Sequence, residues 1–147
     1  MNIIFEKVHE NARIPEHAYG NQHDSVGMDL YAAQVNPWRL LAEGVYSTIV
    51  STGLKVELPE QYHLRIASRS GWAFKHNILS YPGTVDNSYR GEIKLKLYYY
   101  GDTPPTPIEV GYKVAQGIVF KSLDYDIIEG EVSENTERSG KGFGSSG

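Results

Sequence analysis

The sequence predicts an all-β domain with one short helix, on three grounds. Residues Glu92–Tyr100 alternate without a break. Ile93, Leu95, Leu97 and Tyr99 fall on one side and Lys94, Lys96, Tyr98 and Tyr100 on the other, the period-two pattern of a strand covered on one face. Short runs rich in Val, Ile, Tyr and Phe recur along the chain, separated by clusters of Gly, Pro, Asn and Ser. Only the stretch from Ser68 to His76 reads as a helix.

Composition narrows the function. The 147 residues make one domain, long enough to bury about two thirds of the surface its unfolded chain would expose. With 14 basic and 18 acidic residues the net charge is -4, so no global positive field draws the chain to nucleic acid. A phosphate-bearing ligand would have to be held by a few placed groups. The absence of cysteine excludes disulfides, thiol nucleophiles and Cys-ligated zinc. No apolar run reaches membrane-spanning length, and Glu6 interrupts the opening apolar residues where a signal peptide needs its core. The expectation is a soluble, intracellular, cytoplasmic protein without a membrane partner.

Taken in order, Asn2–Val8 reads as a strand, followed by a polar loop from Glu10 to Ser25, in or beside which His9, His17 and His23 have surface or turn roles. In the next strand Asp29 stands between Met28 and Leu30 and points to the opposite side from both. It is either a structural ion-pair member or part of a phosphate and metal site. Gly44–Val50 and Gly53–Leu58 read as an antiparallel meander.

Tyr62–Ala67 runs into Ser68-Arg69-Ser70-Gly71, where Ser68 or Ser70 caps the short helix. Arg69 beside free helix amides makes an anion pocket, although capping and a surface arginine would explain the same residues. Ile78–Tyr81 and Ile93–Tyr99 form a hairpin around a loop carrying Pro82, Gly83, Asp86, Asn87 and Gly91. Asp86 is the only carboxylate between Glu60 and Glu92, with Tyr89 and Arg90 close by. That mixture suits orienting a polar substrate and activating water, and it also suits a turn whose Asp86 and Asn87 cap their own backbone.

Gly101–Pro107 is an exposed loop, and extended structure restarts at Ile108 and runs to Phe120. Gln116 sits in an apolar run and needs a hydrogen-bond partner, from the protein or from a ligand. From Ser139 only Lys141 and Phe143 are neither Gly nor Ser, so the end is either a frayed tail or a lid that closes on substrate.

Gly27–Ala32, Ser68–Ala73, Gly83–Glu92, Gly111–Gln116 and Arg138–Gly147 occur in the order and rough spacing of the five motifs of the trimeric dUTP pyrophosphatase (dUTPase) family. The chain resembles that family over nearly its whole length. The resemblance implies a jelly-roll-like β-barrel subunit over 1–132, an active-site-closing tail over 133–147, and a homotrimer with shared active sites. It implies hydrolysis of dUTP to dUMP and pyrophosphate with Mg2+ on the triphosphate, which limits uracil in DNA and supplies dUMP for dTMP synthesis.

By the same resemblance Asp86 orients and deprotonates the attacking water, and Arg138 acts on the phosphates. Tyr89 packs under the deoxyribose, while Gly83, Thr84, Val85 and Lys94 contact sugar and uracil. Arg69, Ser70, Gly71 and Gln116 match phosphate binders, Phe143 covers the uracil ring, and Asp29 touches the metal only through water or holds Arg69. Ser80 stands where the family more often has an Asn touching uracil. Tyr112 and Lys113 replace an acidic and arginine pair, which weakens a salt bridge expected at that corner. The alternatives are a dCTP deaminase-like enzyme, which needs a glutamate where Lys94, Leu95 and Lys96 stand, and a non-catalytic regulatory protein on the same scaffold.

Overall fold

The computed structural model of the chain describes residues 1–145. In chain order the strands are β1 (Ile4–Lys7), β2 (Glu16–His17), β3 (Met28–Tyr31), β4 (Gln34–Val35), β5 (Arg39–Ala42), β6 (Val45–Ser51), β7 (Leu54–Glu57) and β8 (Tyr62–Ala67). Helix α1 (Ser70–His76) follows, then β9 (Ile78–Ser80), β10 (Thr84–Val85), β11 (Lys94–Tyr100) and β12 (Lys113–Lys121). All described strand pairs are antiparallel.

One sheet has the order β10-β8-β12-β3-β2 and another runs β4-β6-β11-β9 with β5 also on β6, while β1 and β7 pair separately. A single buried cluster draws Leu30, Leu64, Ile66 and Val114 from the first sheet and Val50, Leu95 and Leu97 from the second. Two sheets closed over one core make the fold all-β and jelly-roll-like. The alternation on β11 is observed, with Leu95 and Leu97 buried and Lys94 and Lys96 exposed. Burying a leucine such as Leu97 contributes about 1.5–3 kcal/mol.

The expected meander is absent. β6 pairs with β4, β5 and β11, whereas β7 pairs with β1. Thr52 and Gly53 redirect the chain: the Thr52 hydroxyl donates to the Ile93 carbonyl at 2.7 Å, and Gly53 takes a φ of 67°. A second difference is that Ile108–Tyr112 is not strand. It turns at Gly111, with φ 90°, and β12 begins at Lys113.

Helix α1 is the only helix among the described residues. Neither Ser68 nor Ser70 caps it. The N-cap is Arg69 without a side-chain hydrogen bond, because the Ser68 hydroxyl accepts instead from the Ser80 N–H at 2.9 Å. Its C-terminus ends on Asn77 in the left-handed region, with Lys75 and His76 placed against the negative end of the helix dipole.

Beyond Lys121 the described chain has no helix or strand. Ser122 and Asp124 are tied to Gln61, after which Tyr125, Ile127, Ile128 and Val132 stand exposed. Among the described residues no helix is long and apolar enough to cross a membrane.

Candidate active site

The loop between β9 and β11 crosses between sheets. β9 pairs with β11 in one sheet, the Gly83 carbonyl then accepts from the Ile66 N–H at 2.8 Å, and Thr84 and Val85 pair with Arg65 and Leu64 in the other. Val85 is buried, a turn closes where the Tyr89 N–H donates to the Asp86 carbonyl at 3.0 Å, and Ile93 re-enters the core.

This crossing opens a cleft of about 440 Å³ walled by Gly83, Thr84, Val85, Asp86, Tyr89 and Lys94, six of the residues predicted from sequence. It falls in the range that takes a small ligand. Ile66, Glu92 and Ile93 complete the wall and were missed by sequence reasoning. Ile66 and Ile93 carried only a core signal, and the Glu92 carboxylate turns to accept the Gly53 N–H at 3.0 Å.

Asp86 is exposed on the cleft wall. Tyr89 is held at both ends: its hydroxyl donates to the Glu92 carbonyl at 3.0 Å, and its ring lies over Gly91, where a Cβ would come within 2.9 Å of Cε2.

A second group forms where β8 meets α1. The Asp29 carboxylate, only 7 % exposed, lies 2.8 Å from Lys113 Nζ and 3.5 Å from Arg69 Nε. Arg69 Nη1 also donates to the Lys113 carbonyl at 3.1 Å. The hydrogen bond and charge of Asp29 raise the Lys113 ammonium above its ordinary value. The weakened corner expected from Tyr112 and Lys113 is therefore not observed, because Lys113 itself supplies the cation.

Gln116 finds a protein partner, its Nε2 donating to the Ser68 carbonyl at 2.8 Å. Its side chain passes over Gly27, where a Cβ would sit 2.9 Å from Cδ and closer still to Oε1. Ser70 and Gly71 begin α1, and no side chain crowds Gly71. Ser80 is buried, its hydroxyl turned to the Tyr81 carbonyl, and it does not line the cleft.

The structure does not bring every predicted residue together. The cleft reaches β8 at Ile66, and Gln116 pairs with the next residue, Ala67, without lining the cleft. Arg138 and Phe143 are exposed on the tail, with Arg138 Nε donating only to the nearby Lys141 carbonyl at 2.7 Å. Ser146 and Gly147, part of the expected tail motif, lie outside the described residues. Among the described residues no three His, Asp or Glu side chains gather to hold a metal, and Asp29 is committed to two cations. That donor set fits an ion carried by a ligand's own phosphates and completed by water, the usual habit of Mg2+.

An exposed carboxylate on a cleft wall, with Arg69 and Lys113 gathered on Asp29 of the same sheet, is an arrangement able to hold a polar ligand and activate water. Comparison with known proteins makes this specific. A family model described as dUTPase matches residues 11–147, and the chain belongs to the dUTPase family.

The deoxyuridine 5'-triphosphate nucleotidohydrolase of Helicobacter pylori (strain P12) is 38 % identical over 149 residues, covering 100 % of this chain and 97 % of the relative. The protein of the same name from Hydrogenobaculum sp. (strain Y04AAS1) is 35 % identical over 153 residues, covering 100 % and 99 %. The fold is shared with a Staphylococcus bacteriophage 80alpha dUTPase variant solved with dUpNHpp, at TM-score 0.81 and 22 % identity over 99 % of this chain and 98 % of that one. It is shared too with a phage phi11 dUTPase variant described as coordinating a structural Mg(II) ion, at TM-score 0.72 and 21 % identity over 91 % and 99 %.

Proposed function

We propose that the protein hydrolyses dUTP to dUMP and pyrophosphate, with Asp86 taking a proton from the water that attacks the α-phosphorus. The observation that carries this is the setting of Asp86: an exposed carboxylate on the cleft wall, directly after a residue locked in the core. The names of the full-length relatives, and the dUTP analogue in a protein of the same fold, support the substrate.

In this reading the cleft takes the nucleoside. Backbone groups of β10 and Lys94 read the uracil edge, where a mismatched buried polar pair costs on the order of 1–3 kcal/mol. The fixed ring of Tyr89 lies under the sugar and leaves no room for a 2'-hydroxyl. Arg69, Ser70, Gly71 and Gln116 receive the phosphates, and Arg138 and Phe143 arrive with the tail to neutralise charge and cover the base. When bound on the triphosphate, Mg2+ would lower its negative charge, and Asp29, held by Lys113 and Arg69, would contact it through water.

The exposed Tyr125, Ile127, Ile128 and Val132 support assembly of several copies, and the resemblance to the dUTPase family sets the assembly as a homotrimer in which neighbouring copies complete each site. A cytoplasmic setting fits this role. The test is pyrophosphate release from dUTP, dCTP and dTTP with Mg2+ present. Release from dUTP alone is expected; ammonia from dCTP, or no turnover at all, refutes the reading.

A further inference from the structure

We propose that Asn87 is a positioning residue for Asp86, clamping the chain just beyond the acid to the turn between β7 and β8. The inference rests on the role given to Asp86 above. The Asn87 side-chain nitrogen lies within hydrogen-bonding distance of the carbonyls of Leu58 (3.2 Å), Pro59 (2.7 Å) and Tyr62 (3.0 Å). An amide has two hydrogens, so both are shared among these acceptors and neither is left for the loop itself. Of the two readings the sequence left open for this turn, self-capping by Asn87 is not what its side chain does, because it ties to remote backbone.

The anchor is rigid. Leu58 is buried in the core, the Tyr62 N–H donates to the Pro59 carbonyl at 3.0 Å, and β7 and β8 hold the two ends of the turn. By contrast, the other hydrogen bonds of residues 86–90 among the described residues stay near the loop. Tyr89 N–H donates to Asp86, Arg90 Nη1 to the carbonyls of Asn87 and Tyr89, and the Tyr89 hydroxyl to Glu92. Those bonds move with the loop and cannot fix it.

Val85 is buried in the core and the Asn87 side chain reaches the carbonyls of the β7–β8 turn, while Asp86 between them stands exposed on the cleft wall. Val85 is fixed by burial and by pairing with Leu64. Asn87 supplies the matching restraint on the other side of the acid. Removing it leaves the base-contacting backbone of β10 in place and frees the carboxylate to swing. A misplacement of about 1 Å at a reacting group costs on the order of 10²-fold in rate.

The decisive variant is Asn87→Asp, which keeps the shape, loses both N–H donors and faces a carboxylate toward three carbonyls. At neutral pH its kcat for dUTP should fall roughly 10- to 10²-fold, while its Kd for a non-hydrolysable imido analogue of dUTP changes by less than about threefold. Carbonyls around a carboxyl group favour its protonated form, which restores one donor. The ratio of variant to wild-type kcat should therefore rise as the pH is lowered toward about 5.

A kcat within about twofold of wild type overturns the proposal, as does a Kd that weakens in step with kcat, or a ratio that does not respond to pH. If Asn87→Asp is unfolded at the assay temperature, Asn87→Ala is measured against the same kcat and Kd criteria. If both are unfolded, the tie is structural and the positioning role is overturned. Asp86→Ala run alongside separates the two claims. If it keeps turnover, the reading of Asp86 fails; if it is inactive while Asn87→Asp is normal, only the positioning role fails.

Discussion

Replacing Gly27 by alanine adds one methyl group outside the cleft, and the structure says what it should do. The new Cβ would sit 2.9 Å from Gln116 Cδ, closer than carbon atoms tolerate, and 3.3 Å from Gln116 Cβ, a tight contact. Gly27 is buried in backbone next to β3, so the side chain of Gln116 must give way. Rotating it breaks its 2.8 Å hydrogen bond to the Ser68 carbonyl. One neutral hydrogen bond is worth about 0.5–1.5 kcal/mol, which for a chain of this size lowers Tm by roughly 1–6 °C.

The loss of activity should be larger. A hydrogen bond to a charged phosphate is worth about 1.5–3 kcal/mol, so kcat/KM for dUTP should fall roughly 10- to 10²-fold. Gln116→Ala should fall as far, and the double variant no farther, since the alanine at 116 vacates the space the methyl group needs. Steady-state kinetics with pyrophosphate detection, paired with thermal melts, reads all three proteins. Full additivity in the double variant, or a Gly27→Ala enzyme with normal kcat/KM, would show that the methyl group does not act through Gln116.

The remaining tests are shorter. Asp86→Ala should lower kcat by about 10²- to 10⁴-fold, the usual worth of a general base, while the imido analogue of dUTP still binds; near-normal turnover refutes the mechanism. Deleting Ser139–Gly147 should move Tm by less than about 2 °C yet lower turnover sharply, and a large thermal loss would make the tail structural. Lys113→Met should cost up to about 1 kcal/mol in urea melts, because Asp29 loses its shorter partner but keeps Arg69, and the half-exposed Lys113 ammonium is screened by solvent. Since Asp29 raises the Lys113 ammonium above its ordinary 10.5, this contribution is fully present below pH 10.5 and is lost as pH rises through the raised value. A wild-type advantage that persists unchanged at higher pH contradicts the ion pair.

What was legible in the sequence was local. The alternation from Ile93 to Tyr99 gave β11 and its buried face, because a period-two pattern needs no knowledge of the partner strand. Asp86, Tyr89 and Lys94 share a wall because they lie on one short crossing loop.

Long-range choices were not legible. Nothing near Thr52 and Gly53 says that the next strand pairs with β1 rather than with β6, since that depends on which edge is free. Ser68 has the chemistry of a helix cap, and the N–H of Ser80, brought close by β9, competes for its hydroxyl. Asn87 has the chemistry of a self-capping turn, and the carbonyls that capture it lie 25 to 29 residues earlier in the chain. Likewise Lys113 at Asp29 is a pairing that only the register of β12 against β3 creates.

The arm after β12 extends the same logic to assembly. Leu123, Tyr125 and Ile127 alternate with Asp124 and Asp126, a strand-like pattern with an apolar and an acidic face. Yet the arm pairs with no strand among the described residues, and Ile127 is 90 % exposed. Leaving such residues in water forfeits about 1.5–3 kcal/mol for each large side chain, which a second copy can recover by covering them. Arg138 lies six residues beyond Val132, a span of roughly 20 Å when extended. Whichever copy receives the arm therefore limits which cleft Arg138 and Phe143 can reach. In the proposed trimer, burial of the arm and delivery of the tail are one event, so a change that weakens the arm's apolar face acts on catalysis through assembly rather than through chemistry.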